Sequence, residues 1–202
     1  MDAHTVDIET WNAFRQGDRS AFAKIYFDHY EGLLNYGRRF GLPSEQVEDT
    51  IQDLFIELWK YRATTRSTTS IRFYLFRALR NQLSRLKHKP FATDLTGTLS
   101  SDDPLSFDVE FSFEQRWIEL ADEQQKAFAL QRALNALSPR QREVLYLRFF
   151  NNLDYPQIAA VMNITYQAAR NQVYLALKAL REQFPAHWRL LIAFVQTAFH
   201  TL

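Results

Sequence analysis

Residues 138–181, SPRQREVLYLRFFNNLDYPQIAAVMNITYQAARNQVYLALKALR, read as three short helices, each opened by its own start signal. Ser138 offers a hydroxyl to a backbone N–H, Pro139 sits where no donor is needed, and Gln141 reaches back to complete a capping box. Asp154, Pro156 and Gln157 repeat that signal before IAAVM, and Thr165 supplies a third N-cap after the turn residues Asn163 and Ile164. Two helices joined by so tight a turn predict a helix-turn-helix. In the last helix Ala169, Val173, Ala176, Leu177 and Leu180 recur at three and four residues, an apolar stripe that must pack on the helices before it. The opposite side carries Gln167, Arg170, Asn171, Tyr174, Lys178 and Arg181, the donor types that read base edges in a major groove or pair with phosphate. A merely solvated face has the same polarity. The capped pair of short helices ahead of this one is what points to DNA.

At 202 residues the chain has room for one large or two small cores, and the pattern suits two. Only 5 Gly and 6 Pro, with long stretches of 3.6-residue period, predict an all-α protein. The net charge of +1 hides a sharp asymmetry. Arg72, Arg77, Arg80, Arg85, Lys87 and Lys89 form a basic stretch, and from Asp94 to Glu123 carboxylates follow with only Arg116 against them. Such a division suggests a nucleic-acid surface beside an acidic connector. With no cysteine there is no disulfide and no thiolate zinc site, and the five histidines are scattered without ligand spacing, so neither metal nor cofactor is expected. The start, MDAHTVDIETW, lacks a basic-then-apolar signal, and LLIAFVQTAF is too short to span a bilayer; a cytoplasmic protein without membrane insertion is expected.

The first domain is expected over residues 8–89. Its apolar sets are Trp11, Phe14, Phe22, Ile25, Tyr26 and Tyr30, then Leu33, Leu34, Tyr36 and Phe40, the second stopped by Gly41 and Pro43. Ser44 is placed to cap the next helix, where Val47, Ile51, Leu54, Phe55 and Leu58 point inward and Asp49, Gln52, Asp53 and Ile56 outward. An isoleucine among exposed carboxylates suits a protein contact. RATTRSTTS, residues 62–70, is a polar loop, after which IRFYLFRALRNQLSRLKHK begins a long basic amphipathic helix. Residues 90–118 lose the period and read as a flexible or extended acidic linker. The second domain spans 119–184, its first helix carrying Phe128, Leu130, Ala133, Leu134 and Leu137. A C-terminal extension, 185–202, repeats Trp188, Leu191, Ile192, Val195 and Phe199 at three and four residues, predicting one more helix with a greasy face that packs on the rest of the protein or on a partner.

In their order, GDRSAFAKIYFDHYEGLLNYGRRF, VEDTIQDLFIELW and FYLFRALRNQL, then LSPRQREVLYLRF with the helix-turn-helix, resemble regions 2 and 4 of bacterial RNA polymerase sigma factors of the sigma-70 family, extracytoplasmic-function type. AARNQV and the late extension are similar to Bacteroidetes-like members. The resemblance implies core RNA polymerase and promoter DNA as partners, with an anti-sigma factor as a further candidate. Asp49, Gln52, Asp53 and Ile56 match the face that docks on the polymerase's largest subunit. The loop after Tyr61, with Arg66, matches the element that captures a flipped −10 base, and Tyr74, Arg77, Arg80 and Asn81 match the adjoining helix that supports melted DNA; Phe76 reads as core. Gln167, Arg170, Asn171, Tyr174 and Lys178 match the −35 reading face. The acidic linker is similar to the segment that threads toward the RNA exit path. Ala168, Ala169, Leu175 and Ser84 depart from frequent family choices, so base preference does not transfer. The competing class is a stand-alone helix-turn-helix regulator of duplex DNA. An enzyme ranks behind both, since no nucleophile-base spacing or phosphate loop is present.

Overall fold

The computed structural model describes residues 3–87, 106–108 and 132–183, and every regular element among them is helical. They fall into two compact units that divide after position 102.

The first unit is built of α1 (Ala3–Arg15), α2 (Arg19–Gly37, prolonged by the 3-10 turn Arg38–Phe40), α3 (Ser44–Lys60) and α4 (Ile71–Lys87). Sequence periodicity runs the apolar set from Trp11 to Tyr30 without a break, whereas the chain breaks at Gly17, whose φ of 93° suits only glycine. Asp18 then caps α2, its Oδ1 accepting from the Ser20 and Ala21 amides at 2.7 and 3.2 Å. Bonds from the Ser20 hydroxyl first and from these amides next hold its carboxyl below the ordinary range. The expected cap of α3 is corrected as well. Pro43 takes the cap position, its carbonyl accepting from the Val47 amide at 3.1 Å, while Ser44 is the first helical residue and its hydroxyl bonds Glu48 at 3.0 Å.

The inward row of α3 is as the spacing predicts: Val47, Ile51, Leu54, Phe55 and Leu58 are all buried. They close on α2, which also packs against α1 and α4. Phe76 is core, its ring 5.0 Å from that of buried Tyr36. Full burial of one such aromatic or aliphatic side chain contributes about 1.5–3 kcal/mol, so this cluster holds the unit together. Its narrowest point is Gly37, where a Cβ would land inside the Val47 side chain.

The second unit begins with the end of a helix, residues 132–135, and continues through α5 (Pro139–Leu145), a π turn (Tyr146–Phe150), α6 (Tyr155–Met162) and α7 (Tyr166–Gln183). Both capping boxes form: Ser138 and Gln141 exchange bonds of 3.2 and 2.9 Å, Asp154 and Gln157 bonds of 2.8 and 3.0 Å. Thr165 accepts the Ala168 amide at 3.1 Å, and Asn163 ends α6 in the left-handed conformation with φ 55°. Two expectations change. The last helix is 18 residues long rather than short, because its apolar stripe persists to Leu180. The chain after α5 also widens into the π turn, with the Asn151 amide reaching the Tyr146 carbonyl at 3.3 Å and the Tyr146 and Phe150 rings stacked 4.5 Å apart.

One described piece of the acidic connector is not a free tether. Phe107 is fully buried in the second unit with its ring 5.7 Å from Tyr146, and Asp108 pairs with Arg142 at 3.4 Å. The rest of residues 90–118, the start of the helix with Phe128 and Leu130, and the expected C-terminal helix lie outside the described residues. Among the described residues no helix is long and apolar enough to cross a membrane.

Replacing a helical glycine by alanine ordinarily stabilises by about 0.5–1 kcal/mol, but overpacking a core costs about 1–3 kcal/mol. At Gly37 the second effect wins. Gly37→Ala is expected to lower the urea midpoint of the first unit, and Val47→Ala in the same chain to recover part of the loss; additive losses in that double-mutant cycle would show that the two positions do not collide.

Candidate functional site

The outward side of α3 carries Asp49, Gln52, Asp53 and Ile56, all exposed and all within one line of three- and four-residue steps. Ile56 is 64% exposed. Neighbouring carboxylates are engaged: Glu48 pairs with Arg38 at 3.3 Å and Glu57 accepts from Gln82 at 3.2 Å. Asp49 and Asp53 have no ion-pair partner among the described residues. Two unneutralised carboxylates around a bare isoleucine form a face that is complementary to a basic, partly apolar surface.

Between α3 and α4 the polar loop is more committed than its composition suggests. The Thr64 and Thr65 hydroxyls donate to the Tyr61 carbonyl at 3.0 and 2.8 Å, Thr68 donates to the Ser70 carbonyl at 2.9 Å, and Ser70 accepts the Phe73 amide at 3.2 Å. Arg62 is committed too, stacked 4.4 Å over Trp59 and bonded to its carbonyl at 2.8 Å. Arg66, Ser67 and Thr69 remain exposed. Ser67 and Thr69 are the exposed hydroxyls that these local bonds leave uncommitted, with Arg66 beside them.

On α4, Arg77 and Asn81 are exposed and four residues apart, and Arg80 is half-buried beside them. Tyr74 is half-buried as well. Its ring packs 4.9 Å from Trp11, and burial pushes its hydroxyl's pKa up against the opposing bond to Thr65. It serves the core as much as any surface.

The face of α7 brings Gln167, Arg170, Asn171, Tyr174 and Lys178 together, all exposed, while Ala169, Val173, Ala176 and Leu180 pack inward. Tyr174 is 64% exposed, and Lys178 reaches Glu182 only at 3.9 Å. Sequence reading missed a row of rings along one edge. Arg148 lies 5.2 Å over Tyr155, Tyr155 meets Tyr166 edge-on at 6.2 Å, and Arg170 lies 5.7 Å over Tyr166. The Tyr-to-Arg step of four residues from 166 to 170 was the available signal. It restricts where the Arg170 guanidinium can point.

Both faces fall inside segments of one family: "Sigma-70 region 2" matches residues 25–89 and "Sigma-70, region 4" matches residues 120–180, together more than half of the chain. The chain belongs to the sigma-70 family. RNA polymerase sigma factor NccH of Alcaligenes xylosoxydans xylosoxydans is 28% identical over 178 residues, covering 86% of this chain and 91% of NccH. The ECF RNA polymerase sigma factor RpoE of Cereibacter sphaeroides is 25% identical, covering 82% of this chain and 87% of RpoE. A solved structure of CnrH in complex with the cytosolic domain of CnrY has the same fold, with a TM-score of 0.56 at 20% identity, covering 89% of this chain and 97% of that one. This is an extracytoplasmic-function sigma factor, a subunit that binds core RNA polymerase and directs promoter recognition in transcription initiation. That membership decides against the free-standing regulator.

In this sigma factor one half-buried titratable group of α2 feels the charge of α4. His29 of α2 has its pKa lowered, first by desolvation and then by the positive charge of Arg72 on α4, with Asp7 and Asp28 opposing. The unfolded chain therefore binds this proton more readily. Stability from His29 is full above the ordinary histidine value of 6.5 and drains away as the pH falls from there toward the lowered value of the folded state. Thermal midpoints from pH 7.5 to 5 are expected to fall less steeply in His29→Gln than in the parent; parallel curves would place the titration elsewhere.

Proposed function

We propose that this sigma factor divides its work as the exposed faces suggest. In this reading the region 2-like domain, residues 8–89, docks on core polymerase through Asp49, Gln52, Asp53 and Ile56 and holds the −10 strand through Arg66, Tyr74, Arg77, Arg80 and Asn81. After a connector over 90–118, the region 4-like domain of 119–184 reads the −35 element with Gln167, Arg170, Asn171, Tyr174 and Lys178, and 185–202 is an extension. The observation that carries it is the pair of unneutralised carboxylates on the same face of α3 as exposed Ile56. Stacking on α4 falls mainly to Arg77 and Asn81, since Trp11 already occupies Tyr74. Captured bases meet Ser67 and Thr69, which supports promoter melting as part of the function.

The chain itself catalyses nothing in this proposal; sigma factors are regulatory, and the chemistry belongs to the polymerase. Its place of action is the cytoplasm, where the polymerase works. The run AARNQV and the stretch after Pro185 support a Bacteroidetes-like grouping. CnrH is solved with the cytosolic domain of CnrY, which supports a protein partner here too, an anti-sigma factor by the family resemblance.

Asp53→Lys is expected to weaken binding to core polymerase by on the order of 2 kcal/mol, with helicity unchanged. Equal affinity of parent and variant, measured by interferometry on immobilised core enzyme, would remove the docking assignment. On α7, Arg170→Ala should cost about 1–3 kcal/mol and relax preference at one base position, whereas Lys178→Ala should weaken all sequences alike. Binding selection from a randomised duplex pool separates the two. An unchanged sequence logo for Arg170→Ala would reduce that residue to a phosphate contact.

A further inference from the structure

Helix α1 precedes the segment that matches the family, which begins at residue 25, yet two of its side chains bond the backbone of the −10 loop and of the helix start after it. Trp11 is fully buried, and a buried indole N–H must find an acceptor. It donates to the Arg66 carbonyl at 3.0 Å, in the middle of the loop and 55 residues away in sequence. One helical turn earlier, Asp7 accepts the Ile71 amide at 3.1 Å, across 64 residues. That amide is one of the donors that the start of α4 leaves unpaired, and Ser70 covers only the Phe73 amide. The turn after α1 adjoins the other end of the loop: a Cβ on Gly17 would lie 3.6 Å from Arg62 Nε.

We propose that α1 is a positioning element for the loop of residues 61–70, with Asp7 and Trp11 holding the backbone frame from which Arg66, Ser67 and Thr69 meet the −10 strand. The inference rests on the base-capture reading of that loop. Local hydrogen bonds within the loop fix its two ends to their own neighbours, but none of them ties Arg66 to the body of the domain. The indole does. A site that reads a base edge needs its donors and acceptors held within about 0.5 Å, and loops reach that precision only when a rigid element supports them. Asp7 and Trp11 lie on the same face of α1, four residues apart, so one helix sets the middle and the far end of the loop together.

The test uses the full-length chain assembled with core polymerase and, as probe, a pool of single-stranded oligodeoxynucleotides with a randomised window. Bound strands are sequenced to give the enrichment of the favoured base. Trp11→Phe keeps an aromatic ring and removes the donor; Asp7→Ala removes the acceptor; Asp7→Asn restores an acceptor oxygen without the charge. Trp11→Phe and Asp7→Ala are each expected to lower the enrichment about fivefold, the scale of one net hydrogen bond. Asp7→Asn should keep most of it. Binding to core polymerase, proposed above for α3 of the same unit, should stay at the parental level throughout, as loss of folding would not allow. Ser67→Ala with Thr69→Ala is the control for the loop. If that double variant loses the preference while Trp11→Phe and Asp7→Ala keep it, base reading stands and positioning by α1 is overturned. If the double variant also keeps it, the loop reads no base and the inference falls with that reading.

Discussion

Everything in the first unit leans on α2, and the tightest constraint there is the close approach of α3 at Gly37. A glycine inside a helix is costly for the backbone, so its presence has to be repaid by packing. Here the absent Cβ lets the Val47 side chain sit against the helix backbone. That approach places the inner row of α3 in the core and so determines which row is left outside. Asp49, Asp53 and Ile56 face outward because Val47, Ile51 and Leu54 face α2. This exposed face is thus the geometric remainder of a packing decision, and its charge is unspent because Glu48 and Glu57, not these residues, meet the basic and polar side chains at its margins.

The loop between α3 and α4 illustrates how polar groups are apportioned. Backbone carbonyls and amides left over at the end of one helix and the start of the next demand partners, and the loop's own threonines and Ser70 meet much of that demand. Each hydroxyl used this way keeps only part of its bonding capacity for anything else. Composition alone makes the whole of RATTRSTTS look available, and the helix ends remove most of it. What is left is small: Ser67 and Thr69, with Arg66 beside them.

In the second unit, an exposed cation at the edge of α7 is held in advance. Arg170 is a long side chain with much freedom to lose, and the ring of Tyr166, itself held edge-on by Tyr155, restricts it while leaving the guanidinium exposed. Phe107 and Asp108 bring a piece of the acidic connector onto the same unit through Tyr146 and Arg142.

The helix-turn-helix was legible in the sequence because its signals are local: Ser138–Gln141, Asp154–Gln157 and Thr165 each satisfy donors within three residues of themselves, and no distant contact is needed to place them. The two faces of α3 and α7 were legible for a similar reason, since periodicity alone sorts inward from outward along a single helix. Three things were not. The break at Gly17 was invisible to a periodic count, because Trp11 and Phe14 pack into the same core as the residues after the turn. The burial of Phe107 could not be read from a segment without period. The hold of Asp7 and Trp11 on the loop joins residues more than fifty positions apart, a pairing no local pattern encodes. Sequence by itself determined the helices, their starts and their polarity, for those follow from bonds a few residues long. Only the tertiary structure decided which polar groups are still free to act, because burial and long-range partners allocate them.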